Sequence, residues 1–147
     1  MKVVEITDAK GQIVEAEWLK RAEMVHRQLR PTLPADYAAR MQVIFAGGAG
    51  MAVVVDGDTV LGAAVFRVIE NTFHGRELYC DDLITDETRR STGVGHALIQ
   101  HMERLARGRG CQWLTLDSGT QRQQAHKFYF REGMTIPSFH FTKPLNP

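Results

Sequence analysis

The chain has 147 residues, 44% of them hydrophobic and 24% charged, with a formal net charge of +1. That length supports one domain with a single core, and near-neutral charge excludes a nucleic-acid binder that works by bulk electrostatics. No apolar run approaches the ~20 residues of a membrane span, no signal-peptide pattern opens the chain and no Cys/His cluster has zinc spacing; the expectation is a cytoplasmic domain with no membrane, nucleic-acid or metal partner.

Val3 to Ile6 predicts a short strand, closed by the turn-prone Asp8–Gly11. From Glu15 to Leu29, apolar residues fall at Trp18, Ala22, Val25 and Leu29, the spacing of one helix face, and Pro31 stops the run. Pro34 is expected at the first position of a second, shorter helix carrying Tyr37, Met41 and Ile44 or Phe45, which the glycines from Gly47 to Gly50 end. Met51–Val55 and Val60–Ile69 are β-rich runs around Asp56-Gly57-Asp58, a hairpin signal. The turn Asn71–Gly75 leads into a strand over Glu77–Thr85, then a polar loop, then a helix from Val94 to about Arg107.

Gln112–Leu116 predicts a fifth strand and Gln121–Glu132 a fourth helix, capped by the turn at Asp117–Thr120 and ended by Gly133. Thr135–Lys143 is expected to add a last strand or two, broken at Pro137. Cys80 and Cys111 read as small hydrophobes in a reducing compartment, not as a disulfide. The order β-α-α-β-β-β-α-β-α-β predicts a single α/β domain over residues 1–147 with a mixed sheet, its fourth and fifth strands parallel across the intervening helix.

The stretch from strand four into the third helix carries the chemical signal. Arg90-Ser91-Thr92-Gly93-Val94-Gly95 lies between a strand and a helix, a pattern that reads either as an anion site, with glycines that allow close backbone approach and free first-turn N–H groups, or as plain turn chemistry. The pattern lacks the lysine of a P-loop, and Leu98 replaces the third glycine of the dinucleotide fingerprint.

This region resembles the GNAT superfamily of acyl-CoA-dependent N-acetyltransferases. The family motif Q/R-x-x-G-x-G/A matches Arg90, Gly93 and Gly95, and a second block, A-x-x-F-Y-x-x-x-G-F/M, matches Ala125, Phe128, Tyr129, Gly133 and Met134. The resemblance implies a GNAT-like fold whose central parallel strands splay to admit acetyl-CoA, and transfer of its acetyl group to a primary amine by direct attack in a ternary complex. A non-catalytic GNAT-like domain that binds an acyl-CoA or a partner protein is the alternative; degenerate members tend to lose the glycine loop or the tyrosine, and this chain keeps both.

By that resemblance, Arg90 to Gly95 receive the cofactor diphosphate, and strand four over Leu83, Ile84 and Thr85 pairs with the pantetheine arm. The Leu83 amide faces the carbonyl oxygen as it gains charge, and Tyr129 protonates the departing thiolate. Phe128 adjoins the cofactor in the second block. Arg122 stands where many members carry an asparagine that bonds the pantetheine, so that contact is in question, and a phosphate or an acidic acceptor is an alternative partner for it. Asp81 and Asp82 are candidates for general base or amine anchor, on opposite faces of the strand unless a bulge intervenes. Ser118, His126 and His140 are candidates for contact with the amine, a small molecule or a peptide. A homodimer is common in the family.

Overall fold

The computed structural model describes residues 1–146, and the chain divides into two compact units, Met1–Leu116 and Asp117–Pro147. The first unit carries β1 (Lys2–Glu5), α1 (Ala16–Leu29), α2 (Tyr37–Ala46), β2 (Ala49–Asp56), β3 (Thr59–Asn71), β4 (Gly75–Thr85), a single 3-10 turn (Glu87–Arg89), α3 (Val94–Gly108) and β5 (Trp113–Leu116). The strands form one sheet in the order β1-β2-β3-β4-β5, antiparallel throughout except for the parallel pair β4 and β5. This is the expected mixed sheet, with α3 as the crossover between its parallel strands.

β2 and the first half of β3 are almost continuously apolar and buried, which requires cover on both faces of the sheet. On one face Leu19, Ala22 and Val25 of α1 and Met41 and Phe45 of α2 pack against Val53, Val55, Ala63 and Val65. On the other, α3 buries Val94, Leu98, Ile99, Met102 and Ala106. Gly62 of β3 lets α3 approach that face: a Cβ there would lie 2.5 Å from Val94 Cγ1 and 2.8 Å from the Ile84 carbonyl oxygen.

Helix α2 begins three residues later than Pro34, because Asp36 is a true N-cap: its carboxylate accepts the Ala39 N–H at 3.0 Å. The α1 face is also shifted from the apolar set Trp18, Ala22, Val25 and Leu29; its buried positions are Leu19, Ala22, Val25 and His26. Both cysteines are free, Cys80 buried in β4 and Cys111 half-buried just ahead of β5.

The second unit contains one helix, α4 (Gln123–Arg131), with Arg122 at its N-cap and no side-chain cap, so Asp117 and Ser118 do not perform the expected capping. Gly133, left-handed at φ 85°, closes the helix. No strand forms over Thr135–Lys143. Pro137 removes a ladder donor, and Phe139 and Phe141 are 82% and 90% exposed. Among the described residues, no helix is long and apolar enough to cross a membrane, and no group of three or more His, Cys, Asp or Glu is placed to hold a metal ion.

Candidate functional site

Two features of β4 define the site. Its parallel pairing with β5 covers only Glu77 to Cys80, ending at the Cys80–Leu116 pair, whereas its antiparallel pairing with β3 continues to Thr85. Beyond Cys80 the outer edge of β4 therefore has no strand partner among the described residues. The register then fixes where its amides point. Asp86 N–H donates to the Leu61 carbonyl at 2.8 Å, so the next inward-facing pair is Ala63 with Ile84. In an antiparallel ladder the pairs between face away; the N–H groups of Leu83 and Thr85 are directed off the β3 side, toward the open edge.

The second feature is a β-bulge. Val65 pairs with Asp82 but the next residue, Phe66, pairs with Cys80, which leaves Asp81 as the extra residue. A regular strand would put Asp81 and Asp82 on opposite faces. The bulge turns both onto the α1–α2 face, where they line a cavity of about 430 Å³ together with Arg30, Arg40, Met41, Ile44 and Arg67.

Each carboxylate is held by its own arginine. Asp81 receives Arg67 Nε at 2.9 Å and Nη2 at 2.7 Å. Asp82 Oδ1 receives Arg30 Nε at 2.8 Å and Nη2 at 2.6 Å, and its Oδ2 lies 2.7 Å from His26 Nε2. His26 is buried on α1, and its Nδ1 lies 2.8 Å from the hydroxyl of buried Tyr37. An ionised carboxylate only accepts, so Nε2 carries the proton, and in the neutral ring Nδ1 accepts from the Tyr37 O–H.

Burial by itself would raise the Asp82 pKa, but the hydrogen bonds from His26 and Arg30 outweigh it and hold the carboxyl below its usual range. A general base at this position needs a raised pKa. The shift at Asp82 runs the other way, toward a carboxylate that accepts hydrogen bonds. Burial pushes the Tyr37 phenol and the Cys80 thiol well up, so both stay protonated at neutral pH.

Past Thr85, the chain enters the glycine loop. Arg90, Ser91, Thr92 and Gly93 are all exposed, while Val94 is buried and anchors the helix that follows. Ser91 (φ 62°) and Gly93 (φ 89°) are left-handed, and turns of this kind gather successive N–H groups on one side as an anion-binding nest. The Thr92 hydroxyl bonds back to the Arg89 carbonyl. Gly93 is the N-cap of α3, and the first intrahelical bond runs from Ala97 N–H to the Gly93 carbonyl, so the earlier first-turn amides have no intrahelical acceptor. Gly95 follows in the first turn, half-buried.

These features fit the diphosphate and amide chain of coenzyme A. Exposed loop amides at a helix start suit phosphate oxygens, and a strand edge with outward N–H groups suits a chain of amides.

In the second unit, Phe128 and Tyr129 lie half-buried on α4, their ring centroids 5.4 Å apart. His126 Nε2 is 2.8 Å from the Gly119 carbonyl, which ties the ring to the turn before the helix. His140 Nδ1 lies 3.6 Å from Asp117 Oδ1, and the buried Ser118 hydroxyl oxygen has no hydrogen-bond partner among the described residues. Arg122 is half-buried at the N-cap of α4.

The residues that sequence reasoning missed are His26, Tyr37 as a polar group, Arg30, Arg40 and Arg67. The signal for His26 was present: Leu19, Ala22 and His26 recur at helical steps, which places the histidine on the buried stripe.

Residues 14–134 match the model of the acetyltransferase (GNAT) family. YhdJ of Bacillus subtilis, an uncharacterized N-acetyltransferase, is 40% identical over 72 residues, which are 48% of this chain and 51% of that protein. An aminoalkylphosphonate N-acetyltransferase of Salmonella typhimurium is 34% identical over 64 residues, 44% of this chain and 42% of that protein. The chain thus spans about half the length of the curated relatives it matches. A solved aminoglycoside N-acetyltransferase in complex with CoA superposes with a TM-score of 0.83 at 15% identity, over 99% of this chain and 95% of that one. At that identity the likeness concerns the fold alone.

Proposed function

Since the chain belongs to the acetyltransferase (GNAT) family, we propose that it moves an acetyl group from acetyl-CoA to the primary amine of a small acceptor held in the cavity beside Asp82. The observation that carries this reading is the register of β4. It directs the Leu83 amide off the β3 side, three residues beyond the last β5 pair and one residue from a carboxylate that lines the cavity. Donor and acceptor sites would then meet at the backbone of one residue.

The roles follow from the chemistry each group can do. The amides of Ser91 to Gly95, with the Arg90 guanidinium beside them, hold the diphosphate. The Leu83 and Thr85 edge and the intervening Ile84 align the pantetheine as an added strand, and the Leu83 N–H donates to the carbonyl oxygen as negative charge develops on it. Acetyl-CoA, when bound, supplies an acyl carbon open to direct attack by an amine. Asp82 retains lone pairs beyond those used by Arg30 and His26, and these orient the amine through its N–H groups.

Tyr129, by its place in the second motif, delivers its phenolic proton to the departing sulfur, and Phe128 is assigned to the cofactor by the same motif; Arg122 replaces the asparagine that many members carry, and its partner is a phosphate of the cofactor or an acidic acceptor. Cys80 is a poor acyl carrier, because its buried thiol resists ionisation, which favours transfer within a ternary complex.

The test is a free-thiol assay with acetyl-CoA and a panel of small primary amines, paired with calorimetry of acetyl-CoA binding. Saturable, amine-dependent thiol release is expected. A stoichiometric acetyl-CoA complex that turns over on no amine would overturn the proposal in favour of a non-catalytic acyl-CoA-binding domain.

A further inference from the structure

We infer that the cavity between α1, α2 and the β4 bulge selects amines that also carry an anionic group, a carboxylate or a phosphonate, and that Arg40 receives that group. The inference rests on the acetyltransferase reading, since it names the acceptor class of the same site.

It comes from the charge inventory of the cavity walls. Three guanidinium groups, Arg30, Arg40 and Arg67, face two carboxylates, Asp81 and Asp82. Arg67 commits Nε and Nη2 to Asp81; Arg30 commits Nε and Nη2 to Asp82, with a further 3.3 Å contact from Nη2 to the Asp81 carbonyl. The Nη1 groups of both have no protein acceptor among the described residues. Arg40 makes no hydrogen bond or ion pair there at all, so one positive charge is left in excess.

An alkylammonium entering this cavity finds both aspartates already neutralised. A ligand that brings its own anion finds an uncompensated guanidinium and two more with unused donors. Arg30 and Arg67 are 51% and 43% exposed, so those donors are reachable. Guanidinium groups match the paired oxygens of carboxylate and phosphonate in geometry as well as charge. Met41, Ile44 and Val65 supply apolar wall for a short carbon spacer between the two ends of such a molecule. A cavity of about 430 Å³ is the size of a small-molecule site.

The experiment titrates n-propylamine, β-alanine and 2-aminoethylphosphonate calorimetrically into the wild-type chain and into Arg40→Gln, with and without saturating CoA. In the wild type, at least one anionic amine is expected to bind ~10- to 100-fold more tightly than propylamine, the worth of a charged hydrogen-bond pair, and that ratio should collapse toward one in Arg40→Gln. The two anionic probes separate carboxylate from phosphonate. Equal affinities for all three amines, no binding of any, or a ratio that survives in Arg40→Gln would overturn the inference. Acetyl-CoA titration distinguishes the two failures. Anion-selective binding in a chain that ignores acetyl-CoA sinks the acetyltransferase reading alone, and turnover on propylamine as fast as on both anionic amines sinks this inference alone.

Discussion

Asp82 illustrates how a side chain's partners decide its chemistry. Burial alone would make it a better base, but His26 and Arg30 donate to both of its oxygens and reverse the direction of the shift. A carboxyl whose pKa is depressed on folding stabilises the protein above its unfolded value of ~3.9, and that contribution is lost as pH falls through the folded value. Asp86, depressed by its hydrogen bonds to Thr88, contributes in the same direction. Asp82→Asn should therefore flatten, without abolishing, the acid limb of stability, read as the difference between urea midpoints at about pH 5 and about pH 3. An unchanged difference would show that Asp82 is not held below its unfolded value.

Tyr129 is the residue-scale test of the chemistry. Tyr129→Phe should slow turnover by ~10²–10⁴ with little change in acetyl-CoA affinity; unchanged turnover would remove it from the mechanism. The motif singles out Tyr129 in the sequence. His26 was not legible there, because a helical histidine among charged neighbours reads as surface until the buried stripe is counted through Leu19 and Ala22.

At the scale of elements, the helix and strand order was legible because hydrophobic period and glycine or proline stops are local signals. The bulge at Asp81 was not. A bulge exists only relative to the partner strand, and nothing in Cys80-Asp81-Asp82-Leu83 states that Val65 and Phe66 will pair around it. The same limit explains the missing last strand: Phe139 and Phe141 alternate as a strand should, but alternation does not supply a partner.

Packing of α3 on the sheet depends on a single missing side chain. Because a Cβ on Gly62 would meet both Val94 and the Ile84 carbonyl, Gly62→Ala should cost ~1–3 kcal/mol in urea unfolding. It should also weaken acetyl-CoA binding, since Val94 opens the helix beneath the glycine loop. Full stability in that variant would mean that α3 adjusts freely, contrary to the close approach described here.

For the molecule as a whole, the acetyltransferase account joins three features far apart in the chain: the cavity built by α1 and α2, the open edge of β4, and the loop into α3. Glycine spacing marked the loop in the sequence, whereas the open edge was implied by the family resemblance and not by strand periodicity. The cavity needed the assembled sheet, since its arginines come from three separate elements and carry no spacing signal. On this reading the backbone amides of Leu83, Thr85 and Ser91 to Gly95 receive the cofactor. Residue-resolved amide hydrogen exchange with and without acetyl-CoA tests it most directly. The account predicts that these amides exchange readily in the free chain and slow markedly on binding, with those of Ala63 and Ile84 in the inner ladder little changed; acetyl-CoA binding that leaves these edge and loop amides exchanging as before would contradict it.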